Sequence, residues 1–361
     1  MWNVTDLIIA FLISAAVSLC VTPLVKKLAF KLKAIDQPDG YRKIHNGLKP
    51  SMGGLSIFIG VACGFLYLQP FHEHMNAIII GACIMLVTGM LDDIFELKAI
   101  YKLSGQIVAA IVVVSSGLVI EKLTIPFVGT VFLEGFGIIL TIIWIVAASN
   151  AINLIDGLDG LAAGVSAIAI TSVMVMAVMD YRVIVVSLCV LLIGSCVGFL
   201  YHNFYPSKIF MGDTGALFLG YSIAIISMLG LFKNIAFFSF IVPVIVIAIP
   251  VFDTAFAIVR RAINKQGIAT ADKKHIHYQL MNMGYSHRAS VLIIYGFSFF
   301  FGAMAIIFNS ATLLMSLVIL GVIILGIQLI AEISGITSSN KKPLLHGIRK
   351  VVRGNKVDRL K

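Results

Sequence analysis

Charge is scarce in this chain. Only 12% of its 361 residues are Asp, Glu, Lys or Arg, about half the roughly 25% of ordinary globular domains. That shortage excludes a disordered chain and a coiled coil, both of which depend on charge. Thirty-one glycines without a three-residue period exclude a collagen-like chain. Five cysteines (Cys20, Cys63, Cys83, Cys189 and Cys196) are too dispersed for a disulfide scaffold and lack metal-type spacing. All lie in apolar runs, where a free thiol acts as a small hydrophobe. No internal repeat or low-complexity linker divides the sequence, so residues 1–335 read as one multi-span domain and 336–361 as a basic tail.

Apolar residues fill the gap, at 60% of the chain with a mean hydropathy of +1.03. They fall into continuous runs near the ~20 residues that cross a bilayer as helix. Continuity excludes a transmembrane barrel, whose strands alternate. The sequence therefore predicts an all-α polytopic membrane protein with about eleven spans: 5–25, 52–69, 76–91, 104–120, 137–149, 160–179, 183–201, 216–232, 235–259, 289–308 and 313–331. Pro243 and Pro250 predict a kink or break in the ninth, because each removes a backbone donor. The first run does not read as a cleaved signal peptide, since no cation precedes it and Lys26 and Lys27 follow it. When the loops are assigned alternately to two sides, all of the 27 cations except Lys122, Arg182 and Lys233 fall on one side. The positive-inside rule makes that side cytoplasmic, with the N-terminus outside and the C-terminus inside. The net charge of +10 then reflects topology, and the tail suits anionic lipid. Nucleic-acid binding is not expected.

The carboxylates share this sidedness and cluster. Asp92-Asp93 at the end of the third span, with Glu96 one turn on, suits a hard divalent ion such as Mg²⁺ or marks a solvated helix end. The stretch from Asn150 to Gly160 places Asn150, Asn153, Asp156, Gly157, Leu158 and Asp159 between apolar runs. Its glycines let a backbone approach an anion or base, although Asp-Gly also makes ordinary turns. The stretch from Asn203 to Gly215 holds Phe210, able to stack on a base or to anchor at the interface, and Asp213 between two glycines, a candidate metal ligand. Between the ninth and tenth spans lie Asp253, Arg260, Arg261, His275, His277, His287 and Arg288. Histidines two apart suit a strand or loop, and with Arg and Lys they read as phosphate contacts more than as a zinc site. Carboxylates and cations at one membrane surface are what metal-diphosphate chemistry requires.

At these motifs the sequence resembles the polyprenyl-phosphate N-acetylhexosamine-1-phosphate transferases, most of all the Gram-positive branch that starts teichoic-acid linkage units. The likeness covers nearly the whole chain. It includes Arg42-Lys43-Ile44-His45 with Pro50 to Gly54, Asp92-Asp93, Asn150 to Gly160, Phe210 to Gly215, Asp253 with Arg260-Arg261, and His275-Ile276-His277. The chain departs from it at Tyr278, where relatives of this type usually carry a further histidine. The resemblance implies attack of undecaprenyl phosphate on UDP-GlcNAc, giving undecaprenyl-diphospho-GlcNAc and UMP, with Mg²⁺ or alternatively Mn²⁺, at the cytoplasmic face of a bacterial plasma membrane. Asp213, Asp92 and Asp93 would hold the metal. Asp92 would orient or deprotonate the lipid phosphate, with Asp93 in support. Asn153, Asp156, Gly157, Leu158 and Asp159 would form the nucleotide pocket, with Phe210 on the uracil and Asn203 nearby. Lys102 would meet phosphate, and Lys43, His45, Arg260, Arg261, His275 and His277 would bind substrate. A homodimer is compatible with the likeness. An intramembrane prenyltransferase and a transporter are the rival readings. The first lacks its paired Asp-rich motifs here, and the second usually places ionisable residues mid-span.

Overall fold

A computed structural model describes residues 3–36, 48–125, 129–230, 241–265 and 275–334. Lys43, His45 and the tail from 336 to 361 lie outside them. The chain opens with α1 (Val4–Leu32), which leads to a two-residue strand pair, β1 (Ile35–Asp36) and β2 (Lys49–Pro50), and then to α2 (Gly54–Leu68). Next come α3 (Met75–Phe95) and α4 (Ala99–Ser115), the hairpin β3 (Lys122–Ile125) and β4 (Gly129–Phe132), then α5 (Phe136–Ile155) and α6 (Leu161–Met179). The remainder is α7 (Val183–Asn203), α8 (Gly212–Gly230), α9 (Ile241–Val246), α10 (Ala248–Ile263), α11 (Ile276–Asn282), α12 (His287–Asn309) and α13 (Leu313–Ile333).

Among the described residues every apolar run of the sequence falls mainly on helix. Among the described residues eight helices (α1, α3, α5, α6, α7, α8, α12 and α13) are long and apolar enough to cross a membrane, and α2 and α4 are shorter apolar helices. The ninth run breaks as expected, with α9 ending at Val246 and α10 starting at Ala248, flanked by Pro243 and Pro250. The core is organised around α8. From Thr214 to Gly230 every one of its residues is buried. Glycines permit the closest approaches to it. A Cβ on Gly89 of α3 would lie 2.5 Å from the Asp213 carbonyl oxygen, and one on Gly54 of α2 would lie 2.0 Å from the Gly215 Cα. Trp144 of α5 donates its indole N–H to Ser227 Oγ on α8 at 3.2 Å.

Polar contacts collect at one end of this bundle. The C-termini of α3, α5 and α7 meet the N-termini of α2, α4, α6, α8 and α12 there, and the hairpin β3–β4 occupies the opposite end. α3 stops sooner than an extended Asp92–Glu96 face requires: it ends at Phe95, and Glu96 turns left-handed with φ 48°. Asp92 and Glu96 would share an i, i+4 face only if the helix ran on, and it does not. The Asp92 carboxylate accepts the Leu97 N–H at 2.8 Å and closes this turn.

Candidate active site

The site is built from helix termini. Asp92 ends α3, Lys102 lies in the first turn of α4, Asn153 lies in the last turn of α5, and Asp213 opens α8. One ammonium joins them. Lys102 Nζ donates to Asp92 Oδ2 at 2.9 Å, to Asp213 Oδ2 at 2.5 Å and to Asn153 Oδ1 at 3.1 Å. Asn153 Nδ2 donates to the other Asp213 oxygen. Four segments distant in sequence are thus tied at one point. A reciprocal amide pair fixes the register of α4 on α5: Asn150 Nδ2 donates to Gln106 Oε1 at 2.6 Å, and Gln106 Nε2 donates back at 3.3 Å. Lys102 sits one turn before Gln106, and Asn153 about one turn after Asn150, so this pair places the Lys102–Asn153 contact.

Asp93 faces the opposite way from Asp92. Its carboxylate accepts the backbone N–H groups of Asp213 and Thr214 at 3.0 Å each, Thr214 Oγ1 at 2.5 Å and Ser51 Oγ at 2.8 Å. A carboxylate offers about four acceptor sites, and all are taken. Asp93 therefore caps α8 from another helix, satisfying N–H groups the helix itself leaves open and complementing the positive end of its dipole. Gly212 completes the joint. Its φ is +72°, and a Cβ would come within 2.3 Å of Ser51 Oγ and 2.5 Å of Asp93 Oδ2.

A second cluster adjoins the first through the α5–α6 turn. Asp159 is 5% exposed. Its Oδ2 accepts the Ser207 N–H at 2.9 Å and Lys49 Nζ at 3.3 Å, and Lys49 also donates to Ser207 Oγ at 2.9 Å. Lys49 Nζ stands 4.8 Å from the centroid of the Phe210 ring. The Asp159 N–H donates to His287 Nε2 at 3.0 Å, so that ring presents an unprotonated nitrogen. Asn203 is buried and uses both ends of its amide, accepting the Gly160 N–H at 3.1 Å and donating to the Ile209 carbonyl at 2.9 Å. Leu158 is buried in the apolar core. Asp156 is half-buried. Burial, then the charges of Asp213, Asp93 and Asp159, push its carboxyl well above the usual carboxylate range, with Lys102 opposing.

The His275–His277 segment is not a strand or a plain loop. Asp253 of α10 accepts the Ile276 N–H at 3.0 Å and meets His275 Nδ1 at 2.8 Å. This capping starts α11 at Ile276, and the two rings lie parallel with centroids 5.9 Å apart. His277 is 2% exposed with neither ring nitrogen hydrogen-bonded. Burial lowers its pKa to about 4. A Cβ on Gly157 would come within 2.3 Å of its Nε2, so the glycine lets the Asp156–Gly157 turn lie against the imidazole. Arg260 and Arg261 are buried, and Arg260 donates to the Ser334 carbonyl after α13 at 3.3 Å.

The structure thus brings Asp92, Lys102, Asn153 and Asp213 into direct contact, with Asp93 behind them and the Asp156–Asp159 turn beside them. It turns Arg260 toward α13. Sequence reading passed over Lys49 and Gln106, gave Ser51 and Thr214 no role beyond their motifs, and placed His287 only among general phosphate contacts. Ser51 and Lys49 lie in the stretch preceding Gly53-Gly54, the signal that could have found them. Hard oxygens from Asp92, Asp213 and Asn153 fit Mg²⁺ in chemical type. Among the described residues no three His, Cys, Asp or Glu side chains are yet grouped closely enough to hold a metal. Lys102 supplies the positive charge at that point.

Comparison with known proteins places this geometry. Residues 75–231, which run from α3 through α8 and hold the Lys102 cluster, match the model of glycosyl transferase family 4. The chain is 47% identical over 351 residues to a probable undecaprenyl-phosphate N-acetylglucosaminyl 1-phosphate transferase of Bacillus subtilis, covering 97% of this chain and 98% of that protein. It is 36% identical to the decaprenyl-phosphate N-acetylglucosaminephosphotransferase of Mycobacterium leprae, over 88% of this chain and 89% of the relative. It is 28% identical to the undecaprenyl-phosphate alpha-N-acetylglucosaminyl 1-phosphate transferase of Escherichia coli K12, over 80% and 79%. With its acidic helix ends and its near full-length likeness to such enzymes, the chain belongs to glycosyl transferase family 4.

Proposed function

We propose that the protein transfers GlcNAc-1-phosphate from UDP-GlcNAc to undecaprenyl phosphate, releasing UMP, at the cytoplasmic face of a bacterial plasma membrane. The observation that carries this reading is the junction of Asp92, Asn153 and Asp213 on Lys102, in a chain 47% identical along its length to the Bacillus subtilis relative. Teichoic-acid linkage-unit synthesis is the pathway the sequence resemblance supports. An eleven-span topology with the N-terminus outside is the reading the charge distribution supports, and the gathering of polar contacts at one bundle end is compatible with it.

Asp92 and Asp213, with Asn153, would hold Mg²⁺, which when bound supplies positive charge against the diphosphate. The chain's own residues do the rest. Lys102 adds a fixed cation to a site of low dielectric, where charge stabilisation is strongest. Asp92 orients the lipid phosphate; its second pKa is near 6, so a strong base is not required. Asp93 does not meet substrate in this reading. It fixes the α8 N-terminus so that Asp213 keeps its place. Phe210, flanked by Lys49, offers a ring face to the uracil, and Asp159 and Asn203 hold the surrounding turns. His277, neutral and unpaired beside Gly157, is a polar contact for the diphosphate or sugar. The test is UMP release by purified protein supplied with undecaprenyl phosphate and a panel of UDP-sugars. Release with UDP-GlcNAc, lost in Asp213→Ala and severely reduced in Asp92→Asn, is the expected result. Near-normal transfer by both variants would overturn the assignment.

A further inference from the structure

Away from the acidic cluster, a cavity of about 220 Å³ opens beside α1 and α7, lined by Thr22, Pro23, Lys26, His202, Lys208 and Ile209. Further along these helices are in tight backbone contact: a Cβ on Gly198 would lie 2.2 Å from the Ala15 carbonyl oxygen. One turn on, Pro23 cannot donate to the Leu19 carbonyl. His202 Nε2 supplies that hydrogen bond at 3.1 Å, which fixes the proton on Nε2 and turns the ring to the cavity wall. Lys26 and Lys208 complete the lining. Among the described residues neither lysine has a carboxylate partner, and no acidic residue lines the cavity. Two ammonium groups without a carboxylate partner among the described residues, around one cavity, favour an anion.

The surroundings decide which anion. Lys208 Nζ stands 5.6 Å from the ring centroid of Tyr201, and that ring is 71% exposed on the helix surface. An exposed tyrosine at a span end marks head-group depth. On the same stretch of α1, Leu24 and Leu28 face outward at 62% and 38% exposure, an apolar surface for an acyl chain. We infer that this cavity is a binding site for the phosphate head group of an anionic phospholipid, with Lys26 and Lys208 on the phosphate and the acyl chains along α1. Basic pockets between spans bind anionic head groups on these terms. The lining shares no residue with the Lys102 cluster, and Lys26 and Lys208 have no role in the proposed reaction, so lipid retention is read independently of turnover.

Native mass spectrometry of full-length protein released from nanodiscs tests it, comparing phosphatidylcholine alone with an equal mixture of phosphatidylcholine and phosphatidylglycerol. Wild type is expected to retain phosphatidylglycerol selectively. Lys26→Gln and Lys208→Gln should each weaken retention about five-fold, as about 1 kcal/mol per lysine implies. Lys26→Arg and Lys208→Arg should keep it, and Lys27→Gln, on the exposed side of α1, should leave it unchanged. Equal retention of phosphatidylcholine would overturn the inference. So would an equal loss with Lys27→Gln, full retention by the Lys26→Gln/Lys208→Gln double variant, or displacement of the lipid by inorganic phosphate, which would assign the site to a free anion.

Discussion

Lys102 spends all three of its N–H donors on oxygens from three different helices. Removing a buried charge while its partners remain costs about 3–5 kcal/mol. Lys102→Met is therefore expected to destabilise the protein by about that amount, read by thermal unfolding in detergent, and to cut UMP release by about 100-fold or more. Chelation should separate the two effects. Because Lys102 already bridges Asp92 and Asp213, EDTA is expected to abolish UMP release while shifting the unfolding temperature little. His277 gives a pH prediction. Its folded pKa of about 4 lies below its ordinary 6.5, so the folded state resists protonation. The stability it supports is present above pH 6.5 and is lost as pH falls toward 4. His277→Gln should flatten that acid limb by up to about 3 kcal/mol, measured as unfolding temperature against pH. An unchanged slope would remove His277 from the acid response. The sequence identified Asp92, Asp213 and Asn153 by residue type. The resemblance cast Asp92 as the acting carboxylate with Asp93 in support, but that Asp93 caps α8 was out of its reach, because neighbours on a helix point about 100° apart and only packing decides what each one meets.

α8 is an element whose first turn carries chemistry and whose remainder is core. Asp93, Ser51 and Gly212 hold that first turn, so their loss should act on stability and turnover together. Asp93→Ala leaves buried N–H and hydroxyl groups unsatisfied, at about 1–3 kcal/mol for each such group. The expected result is a marked fall in unfolding temperature with loss of UMP release, and Asp93→Asn should be milder because the amide oxygen still accepts. Gly212→Ala should cost about 1–2 kcal/mol from its left-handed backbone alone, and contact with Ser51 and Asp93 adds to it. Unaltered stability in Asp93→Ala would mean the cap does not anchor α8. At this scale the sequence signalled the break at Pro243 and Pro250, because proline acts locally. It left open where α3 ends, a point Asp92 fixes with its own side chain, and it missed the helical start after His275, which Asp253 imposes from another helix. Neither cap carries a local spacing signal.

Across the whole molecule, alternating spans and lopsided cations give a topology that labelling can test. In a cysteine-free background, Thr130→Cys in the β3–β4 hairpin should react with a membrane-impermeant thiol reagent applied outside intact cells. Lys98→Cys, at the opposite end, should react only after permeabilisation. The reverse pattern would invert the orientation and put the acidic cluster outside.

Hydrophobic run length by itself determined that this chain is a helical membrane protein, and the sign and placement of charges determined which ends gather polar groups. Both follow from the cost of placing apolar surface in water and charge in hydrocarbon, a cost each residue bears wherever the chain leads. Which carboxylate meets Lys102, which one caps α8, and why Arg260 turns to α13 were decided only by tertiary structure. Apart from Lys102 with Asp92, ten positions apart, those choices rest on contacts such as Lys102 with Asn153 and Asp93 with Thr214, 51 and 121 positions apart, where no sequence period can reach.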